Sequence, residues 1–193
     1  MADYNNVKIN GNAYQKQKLK ETFGAVKQYC DQGSINEIKN TVFEFDKNLP
    51  EDVNALQIKK GGKNHIILPE NFTEKPLKRQ GKTLCHGLSH VAWANNHPYA
   101  LPVGSKEDEF QAIINGDSFE KTYSKARDEY YSPVTKREIK NLLKYNPSYR
   151  CLPEKDPASE YDYQIAMRKY NACENINTIK DFILGFFKPK KSK

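Results

Sequence analysis

Apolar positions along most of the chain recur at spacings of three and four, the period of one helix face. Leu19, Phe23, Val26 and Cys30 follow it and predict a helix over residues 12–31. Gly33 and Ser34 mark a stop and a restart. Ser34-Ile-Asn-Glu37 has the form of a capping box, in which a hydroxyl and a carboxylate satisfy orphan amides of a first turn. It predicts a second helix near 35–46, ended by Leu49-Pro50. The period is lost over 50–82, where Gly61-Gly62 reads as a turn, His65-Ile-Ile-Leu-Pro69 as a short strand, and His65 as a surface or strand-edge residue.

The helical period returns at Thr83 with Leu84, Leu88, Val91 and Ala92, and Asn95-Asn-His-Pro98 breaks it. Further helices are predicted near 106–115, 118–131, 134–145, 158–173 and 177–187. Ser105-Lys-Glu-Asp108 opens the first of these and Asn115-Gly116 closes it. Thr135-Lys-Arg-Glu138 is another capping box, placing Ile139, Leu142 and Leu143 inward. The expected fold is therefore mainly α: a compact multi-helix domain with an irregular region near 50–82 and at most one short strand or hairpin. Its parts would be an N-terminal helical pair (1–48), a helical domain (49–187) and a basic tail (188–193), forming one structural unit.

Composition narrows the function classes. The 193 residues carry a formal charge of +7, yet all but five of the 31 basic residues are Lys. Bidentate phosphate and base contacts favour Arg, so nucleic acid is not the expected partner. The only dense basic run is the tail Lys188-Pro-Lys-Lys-Ser-Lys193. It follows the apolar Ile179, Phe182, Ile183, Phe186 and Phe187, so residues 177–193 are a candidate for weak contact with an anionic membrane surface. The N-terminal stretch is polar, without a signal-peptide pattern. Cys30, Cys85, Cys151 and Cys173 are scattered, with no CxxC pair. The expectation is reduced thiols in a cytoplasmic protein.

One stretch carries candidate chemistry, Cys85-His86-Gly87-Leu88-Ser89-His90. On a helix the two imidazoles, four apart, share a face. Such a pair can hold a metal with a third ligand from elsewhere, or supply a nucleophile or general base and its support. The Glu of H-E-x-x-H is missing, no His-Asp dipeptide occurs, and His97 sits at a helix end, so neither metal nor other cofactor is expected. Alternatively Cys85 is a thiolate nucleophile near a helix N-terminus. Its partner would be His90, His97 or His65, because adjacent helical residues point about 100° apart. Trp93 and the tyrosines 123, 130 and 131 could line a pocket that stacks a base or ribose.

The segment Gln80 to Ala100, centred on His86-Gly-Leu-Ser-His90, resembles the opening active-site helix of the phosphodiesterase domain of SidE-type bacterial effectors. That all-helical family acts on ADP-ribosylated ubiquitin. Val134-Thr-Lys-Arg-Glu-Ile-Lys140 resembles the start of a later helix that leads to a loop with an essential Glu, and Ala158 to Ile176 continues the likeness. The resemblance implies His86 as nucleophile or general base and Glu154 as its acid/base partner. It also implies His90, Trp93 and Arg150 around the substrate. The family has Arg where this chain has Trp93 and a further catalytic His downstream, whereas no His follows His97 here. The expected function is thus a phosphodiesterase-like domain, active or degenerate, that recognises phosphoribosyl or ADP-ribosyl groups. Ubiquitin or an ADP-ribosylated protein would be the partner, and a host cytosol a second setting for the chain. The alternatives are a non-enzymatic partner-binding effector and a cysteine hydrolase using Cys85.

Overall fold

A computed structural model describes residues 4, 6–49 and 53–186, with residues 177–186 described by backbone alone. Its elements run β1 (Ile9–Asn10), α1 (Ala13–Tyr29), α2 (Gln32–Glu37), β2 (Thr41–Asp46), β3 (Leu56–Lys60), β4 (Lys63–Pro69), α3 (Leu77–Asn96), α4 (Lys106–Lys125), α5 (Lys136–Tyr145) and α6 (Glu160–Phe186). The strands form one sheet in the order β1-β2-β4-β3, parallel except for the antiparallel pair β3 and β4. The chain therefore has an α/β fold, which overturns the mainly α expectation of at most one strand or hairpin.

Two local causes explain the difference. Asp31, rather than Ser34, caps the second helix, its Oδ1 accepting from the Ser34 amide at 2.9 Å. That helix ends at Glu37, and Thr41-Val-Phe-Glu-Phe-Asp46 runs extended as β2. Strand β2 lies between β1 and β4, and Thr41, Val42 and Phe43, on alternating faces of the sheet, are all buried. A strand covered on both faces loses its alternation, and period alone cannot separate it from a buried helix. Beyond it, Gly61 and Gly62 take φ of +58° and +74°, the left-handed pair a two-residue hairpin needs. They join β3 to β4, with Lys60 opposite Lys63. His65 lies inside β4, not at an edge; it is buried, with Nδ1 3.0 Å from Glu44 Oε1.

Phe43 and Ile66 are register partners and so share a sheet face. Phe43 meets Phe23 of α1 at 4.8 Å between ring centres, and Ile66 lies against Gly87 of α3. Both helices therefore cover that face. The core there includes Leu19, Phe23 and Val26 from α1, Leu84, Leu88 and Val91 from α3, and Phe43, Ile66 and Leu68 from the sheet. Because β1 and β2 pair into the same sheet as β4, a single sheet crosses the expected division at residue 48.

Helices α3 and α4 form a close antiparallel pair. Gly81 faces the Phe119 ring so tightly that a Cβ there would lie 2.1 Å from Phe119 Cζ. A Cβ on Gly116 would lie 3.2 Å from the Lys82 carbonyl oxygen and 3.6 Å from His86 Cβ. Lys82 to Glu120 at 2.6 Å and Asn115 to Ser89 at 2.8 Å close the seam. Gly116, read as a helix stop, is thus a point where α3 backbone comes close inside one continuous α4, where two helices were expected. Likewise a single helix, α6 (Glu160–Phe186), stands where two were expected over 158–173 and 177–187. The expected membrane-contacting side chains from Ile179 onward and the tail lie outside the described residues. Among the described residues no helix is long and apolar enough to cross a membrane. In α5, Ile139 and Leu143 are buried but Leu142 is 41% exposed, against the expectation that all three point inward.

The four cysteines are paired, Cys30 with Cys85 and Cys151 with Cys173, where free thiols were expected. The first pair joins the end of α1 to α3. The second ties the loop after α5 to α6. Wide spacing in sequence hid both, because the partners meet only once the helices pack.

Candidate functional site

The Gly87 contact with Ile66 seats α3 on the sheet, and that fixes which way the next face points. His86 and His90 lie on the face turned toward α4, their rings T-shaped with centres 4.8 Å apart and their Nε2 atoms 3.1 Å apart. The first turn of α4 supplies the partners. Ser105 caps it by accepting from the Asp108 amide, which brings Asp108 and Glu109 against α3. His90 Nδ1 lies 2.9 Å from Asp108 Oδ1, and His90 Nε2 lies 3.3 Å from Glu109 Oε1. His86 Nε2 lies 3.6 Å from Glu109 Oε2, beyond hydrogen-bond reach. That Oε2 atom is buried without a hydrogen-bond partner.

The two histidines hold opposite charge states. Burial opposes a charge on His90, but hydrogen bonds and attraction from Asp108 and Glu109 outweigh it and push its pKa up to about 10. Burial lowers the pKa of His86, the charge on His90 adds to this, and Glu109 only partly compensates, leaving it at about 4. Burial would raise the Glu109 carboxyl, yet the His90 interactions win and hold it below the usual range. At neutral pH the site is an imidazolium against the Glu109 carboxylate with a neutral imidazole beside it, and burial pushes the Asp108 carboxyl up against the pull of His90. Side chains of His90, Asp108 and Glu109 are 12%, 7% and 14% exposed, whereas His86 is 32% exposed. The neutral ring is therefore the least enclosed of the four, though still half-buried.

The loop 146–157 forms a wall. Its Pro153 and Glu154 carbonyls accept from the Lys106 and Glu107 amides at 2.8 and 3.1 Å, docking it on the start of α4. Asp156 accepts from the Trp93 indole. Tyr149 faces Glu109, and burial with that carboxylate nearby pushes its phenol up to about 12.

Of the residues singled out in the sequence, His86 and His90 meet as the helical spacing implied. Glu154 does not join them: it is 80% exposed and pairs with Lys106 at 2.6 Å. Arg150 is exposed as well and, with Glu154, Lys106, Lys155 and Lys169, lines a separate cavity of about 540 Å³ between the loop and α6. Trp93 stacks on His97 at 4.1 Å and spends its N–H on Asp156. His97 is thereby held outside the histidine pair. The tyrosines do not cluster: Tyr123 is in the core, Tyr131 bonds Asp117, and Tyr130 is exposed. Cys85 is fully buried and bonded to Cys30, so no thiolate is presented. Sequence reasoning missed Asp108 and Glu109. Their only signal was the acidic run Glu107-Asp-Glu109 in a first helical turn, which ordinary dipole complementarity explains equally well.

Compared with protein-family models, curated proteins and solved structures, the chain shows no match to any.

Proposed function

We propose that the chain is a phosphodiesterase-like domain that recognises phosphoribosyl or ADP-ribosyl groups, with ubiquitin or another ADP-ribosylated protein as partner. The observation that carries this reading is His86, a neutral imidazole on the solvent side of a buried ion cluster, with a carboxylate 3.6 Å from its Nε2. A neutral ring keeps its lone pair at pH 7 and can share it with an electrophile or take a proton from an attacking water. In this arrangement Glu109, not Glu154, stands in the carboxylate role that the resemblance assigns. His90 fixes Glu109 in place, and the loop carrying Tyr149 and Asp156 shields the site from one side. Arg150, in the neighbouring cavity, would act on a more distant part of the substrate.

Two disulfides are unusual in a chain that stays in a reducing cytoplasm. They favour an exported protein over a cytoplasmic resident, and an effector passing through an oxidising compartment fits both them and the resemblance.

The test is incubation with ADP-ribosylated ubiquitin, followed by intact mass. The expected product is phosphoribosyl-ubiquitin with release of AMP. His86→Ala and Glu109→Gln would each slow it by about 100-fold or more, the usual contribution of a general acid or base. Unchanged ubiquitin in the presence of wild-type protein would remove the substrate. Equal rates for wild type and His86→Ala would remove the site.

A further inference from the structure

We propose that His86, His90 and Glu109 bind one divalent transition-metal ion of the zinc class, with Asp108 orienting His90 as a ligand. The inference rests on the reading of the α3–α4 cluster as the working site; with the ion in place the His86 lone pair is held by the metal, and a metal-bound water would supply the base or nucleophile in place of the free ring.

Geometry carries the argument. One ligand atom from each of His86, His90 and Glu109 lies within 4.8 Å of the others. Two imidazole nitrogens bound tetrahedrally to one zinc, at roughly 2.0–2.1 Å each, stand about 3.3 Å from one another. The two Nε2 atoms here are 3.1 Å apart, already near that spacing. Such an approach of two ring nitrogens is favourable only with a proton or a cation between them. The carboxylate supplies a further sign. Glu109 Oε2, like Asp108 Oδ1 across His90, is buried with no hydrogen-bond partner among the described residues, and it lies 3.6 Å from His86 Nε2. A buried carboxylate oxygen left unsatisfied is costly in folding and is accounted for by a ligand that takes its lone pair.

The surroundings agree. A metal-bound histidine nearly always gives its other ring N–H to a carboxylate or carbonyl, which sets its tautomer and ring orientation. His90 Nδ1 has Asp108 Oδ1 at 2.9 Å. Two histidines and a carboxylate make a borderline donor set suited to zinc or another late divalent ion rather than to magnesium or calcium. Three protein ligands leave a fourth position, and the exposure of His86 places it on the solvent side, where water or a phosphoryl oxygen can complete the shell. Gly87 stands where H-E-x-x-H enzymes carry their Glu and packs against Ile66, so this is not that motif with an altered base.

The experiment uses the full chain, stripped with a chelator and titrated with zinc, manganese and magnesium chlorides by calorimetry. Bound metal is counted by elemental analysis, and cobalt(II) reports geometry by its visible spectrum. One zinc per chain is expected, at micromolar dissociation constant or tighter, with manganese weaker and magnesium undetected. Glu109→Gln, close to isosteric, and His86→Ala, at the least enclosed ligand, would each weaken zinc by more than 100-fold. Asp108→Asn, a positioning change, would cost about 10–100-fold. Circular dichroism checks that each variant is folded. No zinc binding by folded wild type, or binding that Glu109→Gln leaves unchanged, overturns the proposal. Full phosphodiesterase activity in excess chelator would overturn it too, while leaving the enzymatic reading intact. One zinc at this site without any turnover of ADP-ribosylated ubiquitin would leave the metal centre standing and remove only the substrate.

Discussion

His90 and Asp108 face each other at 2.9 Å across the seam between α3 and α4, both almost wholly out of solvent. The pair is both a fastening between the helices and the anchor of the site. Removing one partner leaves the other charge buried and uncompensated, which costs about 3–5 kcal/mol in such settings. Asp108→Ala should therefore lower stability to denaturant by about 3 kcal/mol in metal-free protein. The double variant Asp108→Ala/His90→Ala should lose less than the sum of the two single variants, because the residues share one interaction. Additive losses in urea unfolding would show that the pair contributes no coupling.

The same seam yields a contrast between glycines. A methyl group on Gly81 would meet Phe119 Cζ at 2.1 Å, and Phe119 is fully buried. Gly81→Ala must push the helices apart or displace the ring, at a cost of about 1–3 kcal/mol. It should also weaken the site, since the α3–α4 spacing sets the distance from His90 to Glu109. Gly24, inside α1, has nothing within 4 Å of the equivalent position. Gly24→Ala should instead stabilise the chain by about 0.5–1 kcal/mol. Thermal unfolding of the two variants side by side checks both signs.

The paired cysteines make a chemical prediction. Without reductant, iodoacetamide should label none of the four cysteines in the folded protein, and intact mass should lie four hydrogens below the reduced value. Selective labelling of Cys85 would restore the free thiol that the sequence suggested. The bond from Cys151 to Cys173 spans 22 positions. By loop-closure entropy its removal in Cys151→Ser/Cys173→Ser should cost about 3 kcal/mol. The largest loosening should fall on the loop 146–157 and its docking to α6, read by hydrogen exchange.

What could be read from the sequence followed the range of the forces involved. The spacing of Leu19, Phe23 and Val26 placed α1, and the Thr135 to Glu138 box placed the start of α5, because both signals are complete within a few residues. Thr41 to Asp46 could not be read the same way. Its edges pair with β1 and β4, β4 lying 17 residues or more away, and the face that carries Phe43 is covered by Phe23 of α1. Gly61-Gly62 was legible as a turn but not as a hairpin, because Leu56–Lys60 is a charged edge strand with little apolar alternation. Gly116 looked like a helix stop, and only its closeness to Lys82 and His86 shows why a glycine is kept there. The site divides along the same line. His86 and His90 share a helix, so spacing alone paired them. Asp108 and Glu109 reach them only through the packing of α4 on α3, and Glu154 was placed by register with a resembling family, not by contact.

The Thr135 box supports one last prediction, in which pH is the variable. Glu138 accepts from both the Thr135 amide and hydroxyl at 2.7 Å, and these bonds hold its carboxyl below the ordinary glutamate range. A depressed folded-state pKa means that the unfolded chain binds the proton more readily. The contribution to stability is therefore fully present above the unfolded-state value, about 4.3. It fades as pH falls through the lower folded-state value. Glu138→Gln keeps the shape but removes the charge, both at this cap and at the positive end of the α5 dipole. Wild type should melt above the variant at pH 7, with the gap closing toward pH 3. The group is exposed, so the gap should also shrink in high salt. A melting difference that stayed constant from pH 7 to pH 3 would show that the carboxylate charge plays no part in starting α5.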